Sequence, residues 1–210
     1  MKIRQTALAV AAASLMAGAS AAYAVPFSIA SAAFTPDGGY GQDPCERCGT
    51  LLDVRFNASG FSPQAFSLDT VGASKTFDIG TVHLREPDSY GGISSRETDH
   101  LGVLSSLTFT SPNGMSSAVQ MLGTGTAYTG PVSDAAVDYT LAWKPLLIHF
   151  GSKGLFEISF NDLSFSHAGP LTQTATITLQ QTDSVPEPGT MALFGLGLAG
   201  FGLVRRRRSA

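Results

Sequence analysis

The chain between residues 50 and 180 repeatedly alternates apolar with polar residues, the pattern of half-buried β-strands. In the first such segment Leu52, Val54 and Phe56 alternate with Asp53 and Arg55. The same two-residue period recurs at 77–79, 107–109, 139–143, 146–150, 156–160 and 175–179. Residues 25–180 show no sustained apolar stripe of helical period. The pattern therefore predicts an all-β domain.

Turn-forming residues separate these segments. Asn113-Gly114 is a typical hairpin dipeptide, and the glycines at both ends of 151–154 predict a second hairpin. Long loops are expected at 31–50 and 85–100. Many short strands with Gly and Pro turns favour a β-sandwich, either jelly-roll or immunoglobulin-like.

The N-terminus has the three parts of a signal peptide. Lys2 and Arg4 supply the positive charge, an apolar stretch covers 7–17, and Ala22-Tyr23-Ala24 is a small-x-small cleavage site. We therefore predict a signal peptide over 1–24 that is cleaved after Ala24. It would direct export of the chain through the secretion machinery.

The C-terminus predicts a short transmembrane helix. Residues 191–204 contain no charge, and four arginines follow them: Arg205, Arg206, Arg207 and Arg208. A helix over these 14 residues would be about 21 Å long, against about 30 Å of bilayer hydrocarbon. Even when the apolar segment is extended to 189–204, the span is short and rich in glycine. It suits a transient anchor whose arginines stay in the cytoplasm.

The tail resembles the sorting domain of bacterial PEP-CTERM proteins. Its signature Val185-Pro186-Glu187-Pro188 is followed by the apolar run and the arginine cluster, so 185–208 has all three parts of that domain. The resemblance implies cleavage near the motif by exosortase, a membrane-embedded cysteine peptidase. It also implies a Gram-negative host that makes exopolysaccharide, only transient membrane contact, and a final place at the cell surface or outside the cell.

The resemblance covers only the tail and leaves the passenger domain, 25–180, to be interpreted by itself. A polar linker is expected over 181–184. Without its two ends the chain keeps seven basic and 15 acidic residues. This acidic balance argues against a nucleic-acid partner, because phosphates require a basic face. It is compatible with divalent cations.

Two cysteines, Cys45 and Cys48, are expected to form a local disulfide, because an exported protein enters an oxidising compartment. Redox catalysis and metal binding are the alternatives. A redox cysteine requires a helix N-terminus, whereas a strand-like segment follows Cys48. The four histidines show no spacing typical of metal ligands.

The segment 83–100 holds four carboxylates that could bind calcium. They are Glu86, Asp88, Glu97 and Asp99, on a predicted extracellular loop. The spacing of an EF-hand loop is absent, and a solvated acidic loop is the alternative interpretation. No other cofactor is expected.

No catalytic motif stands out along the chain. The leading hypothesis is a non-enzymatic surface or extracellular-matrix protein associated with exopolysaccharide or biofilm. The alternatives are a secreted polysaccharide hydrolase, whose two carboxylates need only be close in space, and a calcium-stabilised adhesin module. Trp143 alternates with Leu141 and Tyr139, so it is expected in the core.

Overall fold

A computed structural model of the chain describes residues 24–44, 49–112, 115 and 118–183. These residues form eleven strands and one 3₁₀ turn, η1 (Ser89–Gly91), with no α-helix among them. The strands are β1 (Val25–Pro36), β2 (Val54–Asn57), β3 (Gln64–Leu68), β4 (Ser74–Leu84), β5 (Gly102–Ser111), β6 (Ala118–Ala127), β7 (Tyr139–Trp143), β8 (Leu146–Phe150), β9 (Gly154–Phe160), β10 (Leu163–Phe165) and β11 (Gly169–Gln181). The all-β prediction is confirmed for the described chain.

The strands form two sheets, and every paired strand is antiparallel to its neighbour. One sheet has six strands in the order β10-β7-β6-β5-β1-β3, and the other has five in the order β2-β4-β11-β9-β8. Both predicted hairpins connect neighbouring strands, β5 with β6 and β8 with β9. The choice between jelly-roll and immunoglobulin-like topology stays a prediction.

Aromatic side chains join the two sheets in one core. The ring of Phe27, on β1 of the six-stranded sheet, lies 5.1 Å from that of Phe156, on β9 of the five-stranded sheet. Phe109 on β5 lies 5.5 Å from the same Phe156 ring. All three side chains are buried. Burial of such large rings is the main driving force that holds the sheets face to face.

Two long strands carry no clear alternation in the sequence, and both belong to the six-stranded sheet. In β1 the register shifts near Ile29, so the inward face moves and Ala32 and Phe34 continue it. The loop expected from residue 31 therefore begins only after Pro36. In β6 the glycines Gly123 and Gly125 replace the apolar residues that would have marked a strand.

Both ends of the folded chain lie at the same end of the domain. Val25 pairs with Leu68, directly before the turn that leads into β4. In that turn the Gly72 N–H donates to the Leu179 carbonyl at 2.7 Å, and the Leu179 N–H donates to Ala73 at 2.9 Å. Asp183, beyond β11, accepts hydrogen bonds from the turn of the β8–β9 hairpin. We call this the tether end: Val25, the turn 69–73, the turn 151–153 and Asp183.

The long connections meet at the opposite end, which we call the loop end: the described parts of 37–53 (37–44 and 49–53) and residues 85–101, 128–138 and 166–168. Backbone hydrogen bonds join these loops to one another and to the strands. The Arg85 N–H donates to the Asp53 carbonyl at 2.7 Å, and Ile93 and Gly130 exchange two bonds of 2.9 and 3.0 Å. The loop end is therefore held together by regular backbone pairing.

Gly125 allows the buried Tyr139 and the half-buried Tyr40 to meet below the loop end. The Tyr40 hydroxyl donates to the Leu101 carbonyl at 2.7 Å, so the Tyr139 hydroxyl, 2.7 Å away, donates to Tyr40. A Cβ atom at position 125 would lie 2.7 Å from the Tyr139 hydroxyl and 2.8 Å from the Leu101 carbonyl oxygen.

We expect Gly125→Ala to lower the free energy of unfolding by about 1–3 kcal/mol, because the added methyl group overpacks a filled site. Urea denaturation of the passenger domain measures this change. Gly60→Ala is the matched control, since a Cβ there meets nothing within 4 Å. Equal stabilities of the two variants would contradict the packing described.

Candidate functional site

Carboxylates concentrate at the loop end. Nine described carboxylates lie in three of its four loops: Asp37, Asp43, Asp53, Glu86, Asp88, Glu97, Asp99, Asp134 and Asp138. The described basic residues near them are Arg55, Arg85 and Arg96. The Arg55 Nε donates to Asp53 at 2.8 Å, the one salt bridge found among the described residues. The loop end is therefore strongly acidic.

Glu86 is a buried carboxyl group at the centre of this cluster. Its Oε2 accepts the Asp53 N–H at 3.0 Å. This hydrogen bond joins the end of the loop 37–53 to the start of the loop 85–101. Burial raises the pKa of Glu86 to about 7, although the hydrogen bond from Asp53 opposes this rise. The nearby carboxylates of Glu97, Asp53 and Asp43 raise the pKa further. Burial and the neighbouring charges therefore favour the protonated form of the Glu86 carboxyl more than in an exposed glutamate.

Glu97 is also buried, and its hydrogen bonds are local. Its Oε2 accepts the Ser94 N–H at 2.6 Å, and its own N–H donates to the Ser94 carbonyl at 3.2 Å. This reciprocal pair closes the turn 94–97. The side chain of Glu97 therefore shapes the loop 85–101 and places a second carboxylate within electrostatic range of Glu86.

A second acidic group lies between the loops 85–101 and 128–138. Asp88 accepts the Val132 N–H at 2.9 Å, and a hydrogen bond from the Ser133 hydroxyl is the largest cause of its lowered pKa. Asp138 is buried, and its Oδ2 is the one buried side-chain polar atom without a hydrogen-bond partner among the described residues. Burial, and then the charge of Asp134, raise the pKa of Asp138.

Among the loop-end side chains that the structure describes, one aromatic ring is exposed. Tyr128 is 50% exposed, and its N–H donates to the Asp138 carbonyl at 2.8 Å. Trp143 is buried, as predicted, and its indole Nε1–H donates to the Gln173 side chain at 3.0 Å. The described surface of the loop end therefore combines carboxylates with a flat ring.

The C-terminal tail is the part of the chain that matches a known family motif. Residues 184–208 match the PEP-CTERM protein-sorting motif. The chain carries a PEP-CTERM sorting tail. The PEP-CTERM motif implies an exported protein that is processed at the membrane and recognised by exosortase. No curated protein and no solved structure matches the chain.

Several predicted site residues lie outside the described residues. They are the PEP-CTERM signature Val185, Pro186, Glu187 and Pro188, the arginines Arg205, Arg206, Arg207 and Arg208, the cleavage-site alanine Ala22, and the cysteines Cys45 and Cys48. The signal peptide, the disulfide and the transmembrane helix stay predictions. Within the described part of the chain, no helix meets the length and hydropathy needed to cross a bilayer. Ala24 is described and directly precedes β1.

Three of the four residues predicted to bind calcium are divided between the two acidic groups, and the fourth belongs to neither. Glu86 and Glu97 are buried in one group, Asp88 belongs to the other, and Asp99 lies exposed beside His100. Across the residues that the structure describes, no three His, Cys, Asp or Glu side chains form a group that could hold a metal ion. Calcium binding stays a prediction.

Sequence reasoning did not find Asp53, Asp138 or Tyr128 as site residues. Asp53 reads as the outward position of a strand, and 33 residues separate it from Glu86, with which it pairs. Asp138 and Tyr128 lie in a loop without a motif. Their signal is burial or exposure in the folded domain, and no local pattern encodes either.

We expect Glu86→Gln to remove a pH-dependent loss of stability. The pKa of Glu86 is raised in the fold, so its stabilising effect is complete below pH 4.5 and is lost as the pH rises through about 7. At pH 8 the variant should be more stable than the natural protein by about 2 kcal/mol or less, after allowance for solvent screening. Near pH 4.5 the two should be similar.

Urea denaturation between pH 4.5 and 8 measures this difference. Asp69→Asn, at the tether end, is the control, because Asp69 is exposed and far from the acidic groups. If Glu86→Gln kept the pH slope of the natural protein, Glu86 would not be the group responsible.

Proposed function

We propose that this chain is an exported, non-enzymatic surface or extracellular-matrix protein whose loop end contacts exopolysaccharide. The observation that supports this proposal is the separation of the two ends of the domain. The sorting tail leaves from the tether end, and the long acidic loops lie at the other. Such a domain would present its loops away from the site of attachment.

Strand β11 sets the distance between the two ends. It runs from Gly169, next to the loop 166–168, to Gln181, next to the tail. Its 13 residues span about 40 Å in extended conformation. A partner bound at the loop end would therefore be well separated from the membrane during sorting.

The chemistry of the loop end suits a sugar polymer. Carboxylates accept hydrogen bonds from sugar hydroxyls, and the exposed ring of Tyr128 offers a flat apolar face on which a sugar ring can stack. The excess of acidic residues would repel polyanions. We therefore expect a neutral or amino-sugar polymer as the partner.

We expect Tyr128→Ala to weaken binding to the isolated exopolysaccharide by about tenfold, which corresponds to about 1.4 kcal/mol. Co-sedimentation or calorimetry of the passenger domain with this polymer measures the effect. Leu147→Ala is the matched control, because Leu147 is similarly exposed but lies on β8, away from the loop end. Equal loss in both variants, or no binding by the natural domain, would contradict the proposed contact.

The hydrolase alternative is favoured by one feature, the neighbouring carboxyl groups of Glu86 and Glu97. A carboxyl with a pKa of about 7 can act as a general acid, and a nearby carboxylate can act as its partner. Release of sugar fragments in the same binding assay would favour this alternative if Glu86→Gln abolished the release. A calcium-dependent rise in melting temperature would instead favour the adhesin module.

We expect the protein recovered from the producing cell to begin at Val25 and to end near Pro186, without the arginine cluster. Intact mass measurement of the medium and surface fractions tests both processing steps. Replacement of both Pro186 and Pro188 by alanine should leave the tail attached, whereas Pro63→Ala, in an exposed loop, should not. A natural protein that still ends at Ala210 and stays in the inner membrane would show that the tail is a simple anchor.

A further inference from the structure

The fold holds the chain in place up to the last residue before the tail. The Asp183 Oδ1 accepts hydrogen bonds from the Ser152 N–H, the Lys153 N–H and the Ser152 hydroxyl, each at 3.0 Å. Ser184 alone separates Asp183 from Val185, the first residue of the PEP-CTERM signature. The sorting signature therefore follows the folded domain with almost no spacer.

Covalent geometry limits how far the signature can lie from the domain. An extended chain covers at most about 3.6 Å per residue, so the Val185 Cα lies within about 7 Å of the Asp183 Cα. The Pro188 Cα lies within about 18 Å of it by the same limit. These distances are smaller than the width of a protein domain of this size. An enzyme that holds the signature must therefore touch the tether end.

The turn 69–73 gives this end an apolar contact point. Val71 is 61% exposed, the largest exposure among the large apolar residues that the structure describes. The Ala73 N–H donates to the Thr70 carbonyl at 3.0 Å, and Gly72 has a φ of +87°, so Val71 lies at the tip of a tight turn. The bonds between this turn and Leu179 fix its position beside the end of β11.

The charges of the two ends favour an orientation in which the tether end faces the membrane. The tether end carries Asp69, Asp183 and Lys153, and Lys75 lies next to it at the start of β4, so positive and negative charges balance there. The loop end carries the acidic excess. Anionic lipid head groups would repel the loop end more strongly than the tether end. The domain would therefore approach the membrane with its tether end first.

We propose that the tether end, with Val71 at its tip, is the surface that docks against the membrane-embedded sorting peptidase while that enzyme holds Val185-Pro186-Glu187-Pro188. This inference rests on the proposed sorting through exosortase. It adds that the peptidase contacts the folded passenger as well as the tail. The domain is thus oriented before cleavage, with its loop end directed away from the enzyme.

The test is the rate of tail removal in the producing cell, followed by pulse-chase labelling and intact mass. Val71→Glu introduces a charge at the docking surface and should slow tail removal by about tenfold, since a desolvated, unpaired charge weakens an interface. Val137→Glu is the matched control, because Val137 is 43% exposed but lies at the loop end. Val137→Glu should leave the rate unchanged.

A flexible spacer makes the test specific to docking. An insertion of about eight Gly and Ser residues between Asp183 and Ser184 would let the signature reach the peptidase without the domain. This insertion should restore the rate of the Val71→Glu protein. Unchanged melting temperatures of the purified domains would show that both variants fold.

The possible outcomes separate the two proposals. Slow removal in Val71→Glu alone, with rescue by the spacer, would support docking. Equal rates in Val71→Glu and Val137→Glu, or slow removal that the spacer does not rescue, would overturn it. If the natural protein kept its tail, the proposed sorting would fail as well, and that result is visible before any variant is made.

Discussion

The organisation of this domain depends on the pairing of strand β11 between β4 and β9. This strand is the centre of the five-stranded sheet, and its buried side chains Ala175, Ile177 and Leu179 form part of the common core. It also connects the loop end with the tether end. Because its backbone is bonded on both sides, the point at which the chain leaves the fold is fixed relative to the acidic loops.

A buried polar network at Gln173 ties the two sheets together in addition to the aromatic core. The Gln173 Oε1 accepts the Trp143 indole N–H, and its Nε2 donates to the backbone and side-chain oxygens of Asn161 at 2.7 Å. Trp143 belongs to the six-stranded sheet and Gln173 to the five-stranded one. A fully satisfied network of this kind fixes one arrangement of the sheets, since any slip would leave buried polar atoms unpaired.

The loop end carries features that weaken a fold, and this contrast supports the proposal that it is the binding surface. Glu86 is buried beside other carboxylates, and Asp138 keeps a buried oxygen without a hydrogen-bond partner. Both arrangements are unfavourable because a charged group loses its hydration without full compensation. The tether end instead satisfies Asp183 with three hydrogen bonds. Local departures from stable packing are expected where a surface serves binding or chemistry.

The sequence by itself determined the sorting tail, the all-β class and most strands, because these depend on local composition and on a two-residue period. It did not reveal β1, β3, β6 or β10. In β1 a register shift near Ile29 interrupts that period, and in β6 the glycines do so. Only the tertiary structure brought Asp53 to Glu86 and placed Val25 and Asp183 at one end. Such contacts join residues far apart in the chain, and strand order, which no local pattern encodes, decides them.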